Sequence, residues 1–327
     1  DAGVDIGCAH RGPLVVGALG YSETHVAQLW IPSQIFGRDA TGYWRTIVGG
    51  AEARSDRVAL SRDAAKPCLQ SRQAVPAEEA FVDAVTDAVS LIKAGELHKV
   101  VLARREVLEF DRAIDRGAVL ANLRAQQPGC VVFAVQDFVG ASPELLIRTR
   151  GDRFESAPIA GTAATTETVS LAASSKDLHE HEFVIAAMRE TFARLGAEVD
   201  EIGTPVVEVL ADVAHLITHI SGRSSASALE LARVLHPTPA VAGTPTDAAL
   251  VVQREIEGFD RGIYAGPIGW TDASGDGEWM LALRSALLEG SRATLFTGAG
   301  IVAESDPDAE WAETESKLAP MRRALQI

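Results

Sequence analysis

The sequence has little cysteine, no long apolar run and a shortage of positive charge. Its three cysteines, Cys8, Cys68 and Cys130, are odd in number and widely spaced, which argues against a disulfide framework and a cysteine metal site. We therefore expect a reducing, cytoplasmic setting. No apolar run approaches the ~20 residues of a membrane-spanning helix, so we expect no membrane partner. The sequence begins at Asp1 rather than at a methionine, which leaves a leading segment open.

The shortage of basic residues gives a net charge of −15. A chain this acidic is expected to have neither nucleic acid nor an anionic membrane as its main partner. A small anionic substrate remains compatible with this charge, because a local cluster of arginine, lysine and metal can outweigh the overall field. The 327 residues, 47% of them hydrophobic, are enough for one large domain or two smaller ones.

The periodicity of apolar residues predicts an α+β chain with antiparallel strands separated by long helices at irregular intervals. Residues 1–70 are typical of strands and loops, and the polar residues 71–78 are typical of a linker. Further strands are predicted at 99–104, 130–135, 145–149, 153–157, 206–210, 215–221, 264–270 and 278–288. Helices are predicted at 76–94, 115–127, 173–195, 227–235 and 248–257.

Residues 294–317 contain the densest set of candidate site residues. Their pattern predicts a short strand at 294–296, a turn at Gly298–Gly300 and a second short strand at 301–303. A helix start follows at 305–307, where a capping side chain precedes a proline. A turn of exposed backbone amides can hold a carboxylate, so this stretch is a candidate anion site.

Two predicted helices carry acids at the same spacing. Glu310, Glu313 and Lys317 lie at i, i+3 and i+7 of the C-terminal helix and share one face. Asp177 and Glu180 lie at i and i+3 near the start of an earlier helix. Two such helices could clamp one divalent ion, and an all-oxygen site with room for water favours Mg²⁺. The alternative is two solvated helix starts, where acids interact favourably with the helix dipole.

Two further residues are candidates for proton transfer. Lys99 opens an otherwise apolar strand, and a lysine in a low-dielectric cleft loses its proton readily and can act as a general base. Glu144 follows Pro143 at a turn beside apolar strands, where a raised pKa would suit a general acid. The alternatives are a lysine that extends from the strand end to solvent and an ordinary surface acid.

The remaining candidates are an arginine, a histidine and two loops. Arg284 lies within the predicted apolar strand 278–288, and its expected partner is a bidentate carboxylate, either from a substrate or from the protein. His215 lies in a strand, where a satisfied core histidine is the simpler interpretation. Residues 157–162 form a small-residue loop that lets backbone approach a ligand. Residues 235–243 form a proline-rich turn that is either a pocket wall or only a helix end.

Nine motifs, in family order, resemble those of the chorismate-utilising enzymes. They are KVVLAR at 99–104, SPELL at 142–146, PIAGT at 158–162, SKDLHEHEFV at 175–184, HLITHISG at 215–222, LHPTPAVAG at 235–243, RGIYAGPIGW at 261–270, GDGEWMLALR at 275–284 and, at 298–317, GAGIVAESDPDAEW followed by Glu313 and Lys317. The resemblance covers about residues 78–320, and residues 1–77 match only loosely.

The resemblance implies the architecture of this family. The fold would be α+β, a large two-layer antiparallel β-sandwich with helices packed outside and an active site in a deep cleft between two similar halves. Residues 1–77 would be the N-terminal β-rich part and residues 78–327 the chorismate-binding catalytic region of a single domain.

The resemblance also implies the metal ligands and the catalytic pair. Glu180 and Glu313 would ligate Mg²⁺, which would hold the ring carboxylate of chorismate, with Asp177 and Glu310 near the metal through water. In the reaction, the base would deprotonate a water that attacks ring C2, and the acid would protonate the departing C4 hydroxyl. Lys99 would be that base and Glu144 that acid.

The family's substrate-binding positions can be carried over in the same way. The residues expected to contact chorismate are Gly161, Thr162, His215, Thr218, Ala240, Tyr264, Arg284, Gly298, Gly300 and Lys317. Among them, Arg284, Tyr264 and the backbone of Gly298 and Gly300 would hold the enolpyruvyl carboxylate.

Two positions within the family pattern indicate the nucleophile. Ammonia-using members such as anthranilate synthase generally carry glutamine where this chain has Lys99, and aminodeoxychorismate synthases have lysine where it has Ala160. Both differences favour water, so no glutaminase subunit is expected. The sequence Thr238-Pro239-Ala240 is similar to that of isochorismate synthases. We therefore expect a monomeric, Mg²⁺-dependent isomerase that converts chorismate to isochorismate, from which menaquinone and catechol siderophores are made.

Three alternatives stay open. A salicylate synthase would follow isochorismate formation with pyruvate elimination. An amine-transferring synthase subunit would work with a glutaminase and give a product only with ammonium. A protein of another class would bind aromatic acids through a metal without catalysis.

Overall fold

The computed structural model describes residues 12–22, 25–39, 42–49, 66–166, 168–211 and 213–327. The strands in these ranges are β1 (Leu14–Ala18), β2 (Gln28–Trp30), β3 (Gln34–Asp39), β4 (Gly42–Ile47), β5 (Leu69–Val75), β6 (Lys99–Phe110), β7 (Val131–Val135), β8 (Phe138–Ser142), β9 (Leu145–Arg150), β10 (Arg153–Ala157), β11 (Ile159–Ala164), β12 (Glu198–Ile202), β13 (Val206–Val209), β14 (Val213–Ile217), β15 (Ile220–Arg223), β16 (Gly243–Thr244), β17 (Pro267–Asp272), β18 (Gly277–Leu281), β19 (Ser285–Glu289) and β20 (Arg292–Ile301). The helices are α1 (Glu78–Lys93), α2 (Arg116–Gln126), α3 (Thr168–Ala173), α4 (Ser175–Arg194), α5 (Ala228–Leu235), α6 (Thr246–Ile256) and α7 (Pro307–Ala324).

Two large antiparallel sheets form the body of the protein. The first has the strand order β12-β15-β10-β9-β18-β17-β1-β2, and the second has the order β16-β6-β20-β19-β8-β7, with β5 also paired to β6. Smaller sheets contain β11-β14-β13 and β3-β4. The predicted α+β sandwich with helices outside is confirmed. None of the described helices is long and apolar enough to cross a membrane.

The core lies between the large sheets and under the helices. Trp279 of the first sheet and Phe296 of the second belong to one apolar cluster, which α4 and α5 cover. A second cluster joins Leu108 on β6 to Leu318 on α7. Strand β6 begins with six buried residues and alternates between buried and half-buried from Arg105 onward. Its first half is therefore covered on both faces, as its continuous apolar run indicates.

Three of the five N-terminal strands, β1, β2 and β5, belong to the two large sheets, whereas β3 and β4 form a separate sheet. Strand β1 pairs with β17, and β5 pairs with β6. The predicted linker at 71–78 is therefore wrong over most of its length: β5 is an edge strand whose first five residues are exposed, which explains its polar sequence. The division at residue 77 stays a prediction. Cys8 lies outside the described residues, and Cys68 and Cys130 are free thiols.

Other predicted elements are divided more finely than the sequence indicated. Segment 278–288 is two strands in different sheets, β18 and β19, and segment 215–221 likewise falls in β14 and β15. The predicted helix 173–195 is interrupted after α3 by Ser174, whose hydroxyl accepts from the amide of Asp177 and caps α4. The predicted loop 157–162 is largely strand β11.

Helix α7 is held against the second sheet by a group of ion pairs that we call the arginine cluster. Its members are Arg72, Arg104, Glu106, Glu315 and Arg322. The guanidinium of Arg104 is fully buried, stacks 3.8 Å over the Trp311 ring and donates to Thr314 and Glu315. The cluster anchors the side of α7 that carries Glu315 and Arg322.

Candidate active site

A cavity is enclosed by strands β6, β11, β14 and β20 and by helices α4 and α7. On β20, the alternate residues Phe296, Gly298 and Gly300 line it, and on β6 Val101 does so. Because alternate residues of a strand point to one face, Lys99 extends from the same face of β6 as Val101. Its side chain is fully buried. Strand β6, which begins with the predicted site residue Lys99, therefore forms one wall of this cavity.

Gly298 and Gly300 lie within one continuous strand, so the predicted turn at this position is wrong. They provide space rather than a turn. A Cβ on Gly300 would lie 2.1 Å from Oε1 of Glu180, and a Cβ on Gly298 would lie 3.2 Å from the Tyr264 hydroxyl. Any larger residue at position 300 would displace the Glu180 carboxylate.

Three lysines and three glutamates meet beside these glycines. At least one member of each pair lies on helix α4 or α7, and together the pairs link β6, α4 and α7. The Nζ–Oε1 distances are 3.0 Å for Lys99–Glu180, 2.6 Å for Lys176–Glu310 and 2.5 Å for Lys317–Glu313. Lys99 Nζ is within ion-pair distance of its partner but is not aligned for a hydrogen bond with any described residue.

The carboxylates of Asp177, Glu180, Glu310 and Glu313, which we call the acid set, influence one another. Burial and the neighbouring Glu313 raise the pKa of Glu310 to about 7. Burial also raises the pKa of Asp177, and the Glu180 carboxylate adds to this rise. Burial opposes ionisation of Glu180 as well, but the Lys99 ammonium holds its pKa below the usual value. The predicted pairing of two acidic helices is thus present.

The acid set fits a hard cation in its chemistry. All its donors are carboxylate oxygens, and Glu310 Oε2 is buried without a well-aligned hydrogen-bond partner in the described part of the chain. Among the described residues, no three acidic, histidine or cysteine side chains converge as a ready ligand set. Mg²⁺ typically uses one or two protein carboxylates and completes its shell with water and substrate oxygens. Glu180 and Glu313 line the cavity and could supply those two.

Glu144 lies in the turn between β8 and β9 and is almost fully buried. The Ser142 hydroxyl accepts from its amide, and its carbonyl accepts from the amide of Leu281, so the turn is fixed to β18. Burial raises the pKa of its carboxyl to about 8, although Lys99 and other nearby cations favour the ionised form. At neutral pH this carboxyl holds its proton and can donate it, as the sequence predicted for an acid.

His215 is fixed between Thr162 and Arg284 on the cavity wall. Its Nδ1 lies 3.0 Å from Thr162 Oγ1 and its Nε2 lies 2.9 Å from Arg284 Nη2. A guanidinium can only donate, so Nε2 must accept and Nδ1 must carry the proton that is donated to Thr162. Burial, with Arg284 and Lys317 nearby, lowers the pKa of His215 well below its ordinary value. The ring is therefore neutral and orients Arg284.

Arg284 lies in a bend and not within a strand as predicted. It occupies the connection from β18 to β19, with a φ of 49°. This left-handed conformation is unusual for a residue with a side chain and is often found at functional sites. The bend turns the guanidinium toward the cavity, which a regular strand through this position would not do.

The other predicted substrate residues are distributed between two layers. Those that line the cavity are Gly161, Thr162, His215, Ala240, Tyr264, Arg284, Gly298, Gly300 and Lys317. Thr218 lies behind the wall, where its hydroxyl is 2.7 Å from His181 Nε2. Asp177 and Glu310 also lie behind the described cavity wall, beside Glu180 and Glu313.

Comparison with known proteins identifies the family. Residues 38–326 match the family model described as chorismate binding enzyme. The isochorismate synthase EntC of Escherichia coli (strain K12) is 36% identical over 329 residues, which cover 95% of this chain and 81% of that protein. The chain belongs to the chorismate-binding enzyme family.

Solved structures of chorismate-binding enzymes share its fold. A putative 2,3-dihydroxybenzoate-specific isochorismate synthase, DhbC from Bacillus anthracis, has a TM-score of 0.80 at 32% identity, covering 96% of this chain and 84% of that one. MenF, the menaquinone-specific isochorismate synthase from Escherichia coli, has a TM-score of 0.81 at 27% identity, covering 97% and 80%. The resemblance inferred from nine motifs is confirmed.

Several wall residues of this chorismate-binding enzyme were not predicted from the sequence. They include Val101, Ile159, Val241, Leu283 and Phe296. The strand period could have indicated two of them, because Val101 lies two residues after Lys99 and Phe296 two residues before Gly298. Ile159 lies at the start of a strand, and Val241 and Leu283 lie outside regular strands. The strand period therefore does not predict which way their side chains point.

Three side chains also missed by the sequence reading fix the exposed edge of β6; we call Gln253, Glu257 and Arg261 the β6 clamp. Gln253 Nε2 and Arg261 Nη2 donate to the carbonyl of Val101 at 2.7 and 2.8 Å. The amide of Ala103 donates to Glu257 Oε1 at 2.9 Å. Arg261 lies in the motif RGIYAGPIGW, for which only Tyr264 had a predicted role. The clamp holds the strand that carries Lys99.

Proposed function

We propose that this chorismate-binding enzyme is an isochorismate synthase, an isomerase that adds water at ring C2 of chorismate and releases the C4 hydroxyl. The observation that carries the proposal is that a buried and protonated carboxyl, Glu144, lines the cavity, while a buried lysine, Lys99, lies beside its wall at Glu180. A base and an acid are the two groups that such an exchange of hydroxyls requires. The names of the relatives support the same isomerase class.

The proton transfers balance without any further reactant. Lys99, acting as the base, takes one proton from water as the water oxygen bonds to C2. The ring double bonds shift, and the C4–oxygen bond breaks as Glu144 donates its proton to the departing hydroxyl. One water enters and one leaves, so product and substrate are isomers. The enzyme returns to its starting state when Lys99 releases its proton to solvent and Glu144 takes one up. Each of the two groups contributes perhaps ~10²–10⁴ in rate by this kind of catalysis.

Substrate binding is assigned to the cationic wall and to β20. Arg284, oriented by His215, presents a fork that suits a carboxylate. The ladder between β19 and β20 ends at Phe296, so the edge of β20 at Gly298 and Gly300 is available to a substrate carboxylate. The hydroxyl of Tyr264 stays protonated because burial raises its pKa to about 12. It can therefore donate to the same group.

Glu180 and Glu313 are proposed to hold Mg²⁺, with Asp177 and Glu310 behind them. When bound, the ion would supply positive charge to the ring carboxylate and help to orient the ring. The residues of the chain would do the rest: Lys99 and Glu144 move protons, and the surrounding apolar wall excludes bulk water.

The test is to incubate metal-stripped protein with chorismate, with and without Mg²⁺ and ammonium, and to identify products by NMR. Isochorismate alone, dependent on Mg²⁺ and indifferent to ammonium, is the expected result. Salicylate plus pyruvate would instead support a salicylate synthase, and an amino product only with ammonium would support an amine-transferring subunit. Chorismate left unchanged under all conditions would contradict catalysis and leave the non-catalytic binding protein.

The product could enter more than one biosynthetic route. The named relatives include both menaquinone-specific and 2,3-dihydroxybenzoate-specific isochorismate synthases. Both are similar to this chain over nearly its whole length. The proposal therefore covers the reaction and leaves its downstream use to the cellular context.

A further inference from the structure

Lys176 is the one lysine of the three lysine–glutamate pairs to which neither the sequence nor the proposed mechanism assigns a role. It lies at the start of α4 and reaches across to α7, where its Nζ is 2.6 Å from Glu310 Oε1. Glu310 is almost fully buried, whereas the side chain of Lys176 is 29% exposed. The lysine therefore covers the acid from the solvent side.

The position of Lys176 on its helix places its charge near the other acids. Lys176 and Glu180 lie at i and i+4 of α4 and share a face. Glu313 lies one turn from Glu310 on α7. The ammonium group is thus close enough to Glu313 and Glu180, as well as to Glu310, for their charges to favour its protonated form. In the described ranges, the cations that form ion pairs with the acid set are Lys176, Lys99 and Lys317.

We propose that Lys176 is a built-in counter-ion that competes with a divalent cation for the acid set and lowers the affinity of the substrate-free protein for metal. This inference rests on the proposed metal site. The four carboxylates need compensation in the absence of metal, and Lys176 supplies it. Metal entry then requires the lysine to release Glu310 and move toward solvent.

The chemistry of lysine suits this exchange. Its ammonium is a compact charge on a flexible four-carbon stem, so it can leave one carboxylate without breaking a fixed bidentate geometry. Its partial exposure gives it a solvated place to go. A cation and an ammonium a few ångströms apart repel each other, so removal of the lysine should strengthen metal binding. The wild-type site would hold its ion firmly only when the substrate carboxylate adds negative charge.

A purely structural role predicts the opposite result. If Lys176 served only to tie α4 to α7, its loss would let the two acidic helices separate, and metal affinity would stay the same or fall. The two roles are therefore distinguished by the direction of a binding change, without reference to turnover.

The experiment is calorimetric titration of Mg²⁺ into metal-stripped, substrate-free protein. We expect Lys176→Met to bind Mg²⁺ about tenfold or more tightly than wild type, since one opposing charge is gone. Lys176→Arg keeps the charge and should bind like wild type or more weakly. Lys93→Met removes an exposed lysine at the end of α1 and serves as a control for net charge. Lys176→Gln provides a second neutral variant if the methionine variant folds poorly.

Thermal unfolding gives an independent readout. A ligand that binds only the folded state raises the unfolding temperature, and a tighter ligand raises it more at the same concentration, so Mg²⁺ should stabilise Lys176→Met more than wild type. Equal or weaker binding in both neutral variants would overturn the inference while leaving the metal site in place. Absence of Mg²⁺ binding in every protein, wild type included, would overturn the inference and the metal site together. The product assay without metal would then decide the reaction separately.

Discussion

The two sides of helix α7 carry similar charged residues but use them differently. Toward the cavity, Glu313 and Lys317 form a single ion pair, and Oε2 of the neighbouring Glu310 has no aligned hydrogen-bond partner in the described ranges. Toward the sheet, Glu315 accepts from Arg104 and Arg322. The first side leaves its charges available, whereas the second cross-links them.

The pKa values follow the same division. In the cavity, burial raises the pKa of Glu144 to about 8 and that of Glu310 to about 7. In the arginine cluster, burial of Glu315 is outweighed by hydrogen bonds from Arg322 and Arg104, and its pKa falls to about 2. Lysines act as exchangeable point charges and arginines as fixed forks. On the cavity side of α7 the carboxylates have lysine partners, which can exchange, whereas on the sheet side arginine partners fix the carboxylate in place.

The largest expected effect is on the cavity side. Lys99→Ala and Glu144→Gln should each lower turnover by ~10²–10⁴-fold, because each removes one proton-transfer group. The loss is measured as the initial rate of chorismate consumption with Mg²⁺ present. Thermal unfolding serves as the control and should show that both variants remain folded. Near-normal turnover in a folded variant would remove that residue from its proposed role.

The next effect is on the sheet side and concerns stability. Arg104→Met should lower the free energy of unfolding by ~3 kcal/mol, because it breaks a buried ion pair. Urea unfolding monitored by circular dichroism measures the change. Arg104→Lys retains the charge without the fork and should lose less. If Arg104→Met removed turnover as severely as Lys99→Ala without destabilising the protein, the proposed division of roles would be wrong.

Changes of pH should affect the stability contributions of Glu144, in the cavity, and Glu315, in the arginine cluster, in different pH ranges. The pKa of Glu144 is raised, so its contribution to folding stability is complete below its ordinary pKa of 4.5 and is lost as pH rises through about 8. The pKa of Glu315 is lowered, so its contribution is present above 4.5 and is lost as pH falls through about 2.

Two matched variants test this separation. Glu144→Gln should flatten the decline in unfolding free energy as pH rises from 4.5 to about 8. Glu315→Gln should flatten the decline in unfolding free energy as pH falls from 4.5 to about 2. Wild-type turnover should also fall as pH rises past about 8, because Glu144 then loses the proton it donates. Identical pH–stability curves for wild type and both variants would contradict the assignments.

The smallest effect should come from an exposed ion pair between β6 and β20. Glu109 on β6 lies 3.3 Å from Arg292 on β20, and both side chains are exposed. Glu109→Gln should change the unfolding free energy by less than ~0.5 kcal/mol, since solvent screens exposed pairs. Urea unfolding in parallel with Arg104→Met gives the comparison. A loss as large as that of Arg104→Met would show that burial does not set the scale here.

The parts of the site that follow from local sequence were predictable. The acid spacing on α4 and α7 depends only on helix geometry, and the orientation of Lys99 depends only on strand period. The buried acid Glu144 was predicted from a turn beside apolar strands. The roles of these residues remain proposals. In the structure, Glu144, Glu180 and Glu313 line one cavity, and Lys99, Asp177 and Glu310 lie beside its wall.

The parts that depend on distant pairing were not predictable. Gly298-Ala299-Gly300 has the composition of a turn, yet β6, nearly two hundred residues earlier in the chain, pairs with it as a strand. Arg284 was placed in a strand because its apolar neighbours continue on both sides, whereas those neighbours enter two different sheets. The polar segment β5 is a strand only because β6 offers it an edge.

The β6 clamp has a consequence for how the protein avoids unwanted association. The ladder with β16 ends at Val100 and the ladder with β5 begins at Arg105, which leaves a short open edge between them. An open strand edge is a template on which a foreign strand can add. The Val101 carbonyl accepts from Gln253 and Arg261, and the Ala103 amide donates to Glu257. The Val101 amide donates to the Ala242 carbonyl, so none of these groups is free to pair with a foreign strand. The β6 clamp, which holds the strand that carries Lys99, thus also blocks this edge against the addition of a foreign strand.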